Sequence, residues 1–289
     1  MTFEQDFRSF LADGADRLVR LSGMLAKRGL EGRVLAIGLR RHLLVRLSPG
    51  PPSTLLVAHY DRVDGSPGAL DNSAACFVLA EAARRLAKDR SAGQGHFVLF
   101  TDGEEAPASG DPFSQGSYAL AKGLHKALGG ARPAIFVFDV VGRGSRLLLS
   151  TASRTAGEGL SPGAVLVLDA MEARATQAAA TSGMEPPLRL PLPWSDDLGF
   201  ALAGMPALVL SLLPEDEAER LERAMAGRSD AGGKRAPARN DMGGDWPRTW
   251  DLLHGPEDRP ELLERRALDA MVEFCVGLCR SCGRPESSL

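Results

Sequence analysis

The chain has few cysteines, no long apolar run and no excess of positive charge, and each shortage excludes a class of protein. Four cysteines among 289 residues are too few for a disulfide scaffold. No stretch approaches the ~18 to 20 apolar residues that a membrane-spanning helix needs. The N-terminus is amphipathic and acidic, which is not the pattern of a secretion signal. We therefore expect a cytoplasmic protein that does not bind membranes.

The charge balance argues against nucleic-acid binding. Lysine and arginine total 34 and aspartate and glutamate total 37, so the net charge is −3. Such a chain has no overall basic field to attract nucleic acid. The composition is 44% hydrophobic and 25% charged, which is typical of a globular protein with a large core.

Short apolar runs alternate with amphipathic segments along most of the chain. The pattern predicts strands at 33–39, 42–47, 54–58, 96–101, 134–138, 146–150 and 207–212. It predicts helices at 3–29, 72–88, 115–128, 161–180, 196–203 and 257–279, although residues 165–168 also fit a strand. Strands that alternate with helices favour one α/β domain over residues 1–289, a three-layer αβα sandwich with a central mixed, mainly parallel sheet. Segment 227–245 is polar and rich in glycine and arginine, which predicts a flexible loop.

Histidine and acidic residues stand where three of the predicted strands end. His59 and Asp61 follow strand 54–58, Glu104 and Glu105 follow strand 96–101, and Asp139 follows strand 134–138. The carboxyl ends of parallel strands meet at one edge of a sheet, which is where ligands bind. Carboxylates gathered there would repel one another, and a divalent cation would resolve the conflict. Imidazole and carboxylate ligands suit zinc, and several carboxylates can hold two metals.

Two more candidates lie outside the strand ends, and the glutamate pair allows two roles. Asp71 stands at the entry of predicted helix 72–88, where by itself it is typical of a helix cap. His254 follows a tryptophan-rich stretch and precedes the last predicted helix. In the adjacent pair Glu104 and Glu105, one carboxylate would bind metal and the other would take a proton from water.

Five motifs in this order resemble the co-catalytic dizinc aminopeptidase family. They are His-Tyr-Asp at 59–61, Gly-Ala-Leu-Asp-Asn at 68–72, Asp-Gly-Glu-Glu at 102–105, Phe-Asp-Val-Val-Gly at 138–142, and the segment 249–254. The family includes bacterial leucyl aminopeptidases, glutamate carboxypeptidases and glutaminyl cyclases. The resemblance implies a zinc exopeptidase-like fold and a complete set of site residues. By similarity, one zinc is held by His59 and Asp139, the other by Glu105 and His254, both by Asp71, with Glu104 as general base and Asp61 orienting the His59 ring.

The activity that the resemblance implies is that of a zinc-dependent metallopeptidase. Such an enzyme hydrolyses the N-terminal residue of peptides through a water activated by two zinc ions, for which Co²⁺ or Mn²⁺ can substitute. The expected partner is a peptide or small amide substrate, and the oligomeric state stays open.

Two departures from the family pattern keep other functions open. Segment 195–200 reads Ser-Asp-Asp-Leu-Gly-Phe where Ser-Asp-His-x-Pro-Phe is common, so the substrate preference stays open. Leu253 stands where cyclases typically have tryptophan, although Asp-Gly-Glu-Glu is at least as common in cyclases. The alternatives are a one-zinc aminoacyltransferase of the glutaminyl cyclase kind and a non-catalytic binding relative. The second is disfavoured because all six metal and base candidates are retained.

Overall fold

A computed structural model describes residues 3–89, 92, 94–105, 111–155, 161–227 and 238–280. The strands are β1 (Gly32–Ile37), β2 (Arg40–Arg46), β3 (Thr54–His59), β4 (His96–Thr101), β5 (Ala134–Phe138), β6 (Arg146–Ser150), β7 (Leu188–Leu190) and β8 (Ala207–Leu213). The helices are α1 (Phe3–Leu11), α2 (Arg17–Lys27), α3 (Ala74–Leu86), α4 (Gly116–Ala127), α5 (Pro162–Thr181), α6 (Asp196–Leu202), α7 (Glu215–Ala226), α8 (Arg239–Met242), α9 (Arg248–Asp251) and α10 (Arg265–Arg280). None of these helices is long and apolar enough to cross a membrane.

The eight strands form one sheet in the order β1-β2-β4-β3-β5-β8-β6-β7. The four central strands β4, β3, β5 and β8 are parallel to one another. Antiparallel pairs join β1 to β2, β2 to β4 and β6 to β8. This mixed sheet with flanking helices confirms the predicted α/β fold.

Both faces of the central strands are covered, which explains their continuous apolar sequences. All residues of β3 and β4 are buried. In β3, Leu56 and Ala58 join a core with α1, α2, α3, α5 and α10, whereas Leu55 and Val57 join a second core with α4, α6 and α7. Alternate residues therefore face opposite layers, as expected for parallel strands buried on both sides.

The prediction of one helix over 3–29 is wrong, because the structure has two helices there. Gly14 adopts a φ of 69°, a conformation that breaks the first helix. Asp16 then caps the second helix, since its side chain accepts a 3.1 Å hydrogen bond from the backbone N–H of Val19.

The last helix also starts later than predicted, at Arg265 rather than at residue 257. Pro260 opens a short 3₁₀ turn, and Arg259 before it is extended. The residue before a proline disfavours helical geometry, so the chain cannot enter the helix at this point. Strand β7 and helix α7 were not predicted. Within segment 227–245, residues 239–245 form short helical turns, and residues 228–237 lie outside the described part.

Candidate metal centre

The carboxyl ends of three adjacent strands carry most of the site, as the sequence predicted. His59 ends β3 and pairs in register with Thr101, which ends β4. Asp139 directly follows β5, and its N–H donates to the carbonyl of Leu210 on β8 at 3.0 Å. The sheet therefore provides a rigid support for these side chains.

His59 lies among three carboxylates and is fully buried. Its Nε2 is 3.1 Å from an oxygen of Asp71 and 3.7 Å from an oxygen of Asp139, and its Nδ1 is 3.5 Å from an oxygen of Asp61. Burial by itself lowers the pKa of His59, but the carboxylates of Asp139, Asp61 and Asp71 raise it well above its usual value. The surroundings thus favour a positive charge at this position.

Asp71 connects two groups of candidate ligands. One of its oxygens faces His59, and the other lies 3.0 Å from Nε2 of His254, which is 3.5 Å from Glu105. The first group consists of His59, Asp71 and Asp139, and the second consists of Asp71, Glu105 and His254. Within each group, the candidate ligand atoms lie within 4.8 Å of one another. Asp71 thus belongs to both groups, the position that a carboxylate shared by two cations would occupy.

The spacing of these atoms fits zinc. Ligand atoms about 2.1 Å from a tetrahedral zinc lie about 3.4 Å from one another. The nitrogen–oxygen distances within the two groups are 3.0, 3.1, 3.5 and 3.7 Å. Among the described residues, both ring nitrogens of His59 and one oxygen each of Asp71 and Asp139 are buried without a hydrogen-bond partner. Buried polar atoms normally have partners, so their arrangement here indicates a cation site.

The two adjacent glutamates have different surroundings. Glu105 belongs to the group with His254, and burial together with the Asp71 carboxylate raises its pKa to about 8. Glu104 lies with Glu105 and His59 in a third group, and burial with the Asp139 and Asp71 carboxylates raises its pKa well above the usual value. A divalent cation would oppose both shifts by offsetting the negative charge of the site.

A cavity of about 460 Å³ opens beside these residues. Its polar floor consists of Asp71, Glu104, Glu105, Asp139 and His254. Its walls are mostly apolar: Val140, Leu192, Pro193, Trp194, Val209, Ser211, Trp246, Trp250 and Leu253. The three tryptophans of the chain thus line the cavity, and the rings of Trp246 and Trp250 meet edge to face with centroids 4.9 Å apart. The volume is within the range of pockets that bind small molecules.

Residues 43–278 match peptidase family M28. The chain belongs to this family. A search of curated proteins found no sequence that matches it.

Several solved structures share the M28 fold of this chain. A glutaminyl cyclase from Porphyromonas gingivalis is 19% identical, with a TM-score of 0.67 over 96% of this chain and 95% of that chain. A leucine aminopeptidase precursor from Bacteroides thetaiotaomicron is 15% identical, with a TM-score of 0.67 over 96% and 93%. BSAP, a zinc aminopeptidase from Bacillus subtilis, is 18% identical, with a TM-score of 0.56 over 86% and 52%. The fold of this chain is thus shared by a glutaminyl cyclase and by aminopeptidases.

The loop that holds Asp71 has an irregular backbone. Residues Ala69–Ser73 lead into α3 through a kink at which Asp71 and Asn72 have non-helical dihedral angles, and the peptide bond between these two residues is cis. The side-chain amide of Asn72 donates a 2.7 Å hydrogen bond to the carbonyl of Phe138 at the end of β5. The sequence predicted a helix over 72–88 with Asp71 directly before it, whereas the helix begins at Ala74. Asp71 therefore reaches the site from the turn before the helix.

Sequence reasoning missed two buried charged residues that hold this loop. Asp258 accepts hydrogen bonds from the backbone N–H groups of Leu70 and Asp71, at 2.6 and 3.1 Å. Arg17, on α2, donates to the hydroxyl of Ser73. The two partners lie far along the chain from the loop, so no local pattern could have predicted them.

The segment 195–200, which departs from the common family pattern, is packed behind the strand ends. Asp196 and Asp197 are fully buried, and the hydroxyl of Thr101 donates to Asp196. Burial raises the pKa of Asp196 to about 6 and that of Asp197 to about 8. A Cβ atom on Gly199 would lie 2.5 Å from the backbone nitrogen of Tyr118, which explains why glycine stands there. The cavity wall beside this segment comes from Leu192, Pro193 and Trp194.

Proposed function

We propose that this chain is a zinc-dependent aminopeptidase that removes the N-terminal residue of peptides. The observation that carries the proposal is that Asp71 belongs to two groups of candidate ligands at once. Two cations on a shared carboxylate can hold both the attacking and the leaving atoms of a displacement. His59 and Asp139 supply ligands for one of them, and Glu105 and His254 supply ligands for the other.

Glu104 is the general base of the proposed reaction. The chemistry that bound zinc supplies is polarisation of the scissile carbonyl group and a lowered pKa of the attacking water. Glu104 takes one proton from that water while the water oxygen bonds to the carbonyl carbon. The same carboxylic acid then gives the proton to the amide nitrogen as the carbon–nitrogen bond breaks. The products are a free amino acid and a peptide shortened by one residue.

The cavity supports a preference for an apolar N-terminal side chain. Its walls carry leucine, valine and tryptophan, while its acidic groups gather at the floor. A free α-amine, which is positively charged, fits beside these carboxylates. An acetylated N-terminus carries no charge and is bulkier, so we expect blocked peptides to be poor substrates.

The second candidate is a glutaminyl cyclase-like aminoacyltransferase with one zinc. Its support is the fold shared with glutaminyl cyclases from Porphyromonas gingivalis and Tannerella forsythia. The one-zinc reaction does not need His59 and Asp139 as metal ligands. Their closely spaced, unpartnered buried atoms favour the two-metal alternative. Leu253 lines the cavity where cyclases typically have tryptophan, which also favours the peptidase.

One assay separates these possibilities. Chelator-treated protein is titrated with Zn²⁺ and tested on leucyl anilide, N-acetyl-leucyl anilide and a glutaminyl peptide. We expect two zinc ions per chain, loss of activity with chelator, and cleavage of the unblocked leucyl compound. Glu104→Gln serves as the control for contaminating peptidases, because it should bind zinc but not turn over. Pyroglutamyl product without any leucine release would assign the chain to the cyclase class. Zinc binding with neither activity would indicate the non-catalytic relative.

A further inference from the structure

The carboxylate of Asp258 is fully buried beside the loop that presents Asp71. Its two oxygens accept hydrogen bonds from consecutive backbone N–H groups, those of Leu70 and Asp71. The backbone carbonyl of Asp258 accepts a third, 3.3 Å long, from the N–H of Ala69. Three successive peptide groups of the loop are thus held by a single residue.

These bonds restrain the part of the loop that determines where the Asp71 side chain points. A carboxylate bound to two adjacent N–H groups fixes their orientation as well as their distance, as in other bidentate contacts. One of the two N–H groups belongs to Asp71 itself. Any rotation of that peptide unit would displace the Asp71 carboxylate from both His59 and His254.

Asp258 also lies only four residues after His254. The short segment 254–258 therefore contacts the Asp71 loop at two points. Nε2 of His254 lies 3.0 Å from the Asp71 carboxylate, and the Asp258 carboxylate accepts a hydrogen bond from the Asp71 backbone N–H. His254 itself has a φ of 61°, an uncommon conformation for a residue with a side chain. Because of these two contacts, the position of Asp71 depends on the position of His254.

We propose that Asp258 is a positioning residue, which holds Asp71 and His254 in the mutual geometry that metal binding requires. Asp258 is not in either ligand group; it acts through the backbone of the residue that both groups share. The inference depends on the metal site but not on the reaction catalysed there. A failure of the proposed peptidase activity would therefore leave this inference intact, and a failure of this inference would leave the proposed activity intact.

The test is zinc affinity measured without substrate. In Asp258→Asn, an amide group replaces one acceptor oxygen, so a donor would face a backbone N–H. We expect the zinc Kd to rise about 10 to 100-fold, as for other groups that orient metal ligands. The stabilisation that zinc gives to the folded protein should shrink accordingly, because it depends on Kd.

Two further variants separate positioning from a merely structural role. Asp258→Ser keeps an oxygen that can cap N–H groups but cannot hold two of them rigidly, so it should also raise the zinc Kd. Glu172→Gln is the matched control: Glu172 is a buried carboxylate on α5 that accepts hydrogen bonds from Arg154 and Arg189, at 3.0 and 2.9 Å, and it belongs to neither ligand group. Its zinc Kd should match the wild type. If both Asp258 variants melt earlier without zinc but bind zinc with the wild-type Kd, Asp258 is only a structural cap and the proposal is wrong.

Discussion

The backbone N–H of Glu105 donates a 3.0 Å hydrogen bond to the carboxylate of Asp61. The other oxygen of Asp61 lies 3.5 Å from Nδ1 of His59. Asp61 therefore contacts one candidate ligand of each proposed metal. It connects the end of β3 with the turn after β4, so both ligand groups depend on its position.

Asp61→Asn should leave the fold intact and weaken zinc binding or turnover about 10 to 100-fold. The amide offers one acceptor oxygen where the carboxylate offers two, so it cannot serve both neighbours. Chelator-competition titration and steady-state kinetics would measure the two effects. Asp64→Asn is the control, because Asp64 is an exposed residue of the same loop. If Asp61→Asn behaves like that control, Asp61 is only a turn residue.

Glu104→Gln and Glu105→Gln should separate the functions of the adjacent glutamates. Glu104→Gln removes a base but no metal ligand, so zinc content should stay at the wild-type level while turnover falls ~10² to 10⁴-fold. Glu105→Gln and His254→Ala should instead lower the zinc content. Metal analysis of each purified variant, with kinetics at saturating zinc, gives both readouts. The reverse pattern for the two glutamates would exchange their assigned functions.

Arg17→Met should destabilise the protein through the loop of Asp71. Arg17 is only 8% exposed, donates to Ser73 and to the carbonyl of Asp61, and lies 4.2 Å from the ring centre of Phe10. Methionine keeps an unbranched stem but leaves these buried acceptors unsatisfied, which costs roughly 1–3 kcal/mol of unfolding free energy. Urea unfolding would measure the loss. Arg20→Met, an exposed position on the same helix, should lose much less; equal losses would contradict the prediction.

His42 should make the protein less stable in mild acid. Burial lowers the pKa of His42 to about 4, and its Nδ1 accepts a hydrogen bond from the N–H of Asp102. Histidine in an unfolded chain has a pKa of about 6.5, so below that pH the unfolded state binds the proton first. The stabilising contribution is complete above pH 6.5 and is lost as pH falls toward 4.

The measurement compares metal-free wild type with His42→Asn, whose amide oxygen can replace Nδ1 as acceptor. Unfolding free energy from pH 7.5 to 4.5 should fall more steeply in the wild type, because the variant lacks the titrating ring. Parallel curves for the two proteins would show that His42 does not contribute to acid sensitivity.

The central strands could be predicted from the sequence because each is a short apolar run bounded by polar residues. The predicted bounds 96–101, 134–138 and 146–150 are those of β4, β5 and β6. The division of the first helix at Gly14 and the delayed start of the last helix after Pro260 depend on turn conformations. Apolar periodicity continues across such turns and cannot locate them.

The sequence could predict which candidate residues lie at the strand ends, but it could not predict which distant segments contact them. Strand ends brought His59, Glu105 and Asp139 together, since adjacent parallel strands end at one edge. His254 was assigned as a metal ligand only through the family resemblance. Arg17 and Asp258 carry no local signal, because their importance comes from the loop that they hold.

Asp71 and Asp258 are 187 residues apart in the chain, and His254 stands on the same turn as Asp258. Forming such a distant contact carries a loop-closure cost and slows folding. A chain in which β3, β4 and β5 had assembled but the distant segment had not docked would contain His59 and Asp139 without His254. We expect such a chain to hold at most one ion. The second ion would then bind only after the distant segment has docked, so full zinc loading reports that folding is complete.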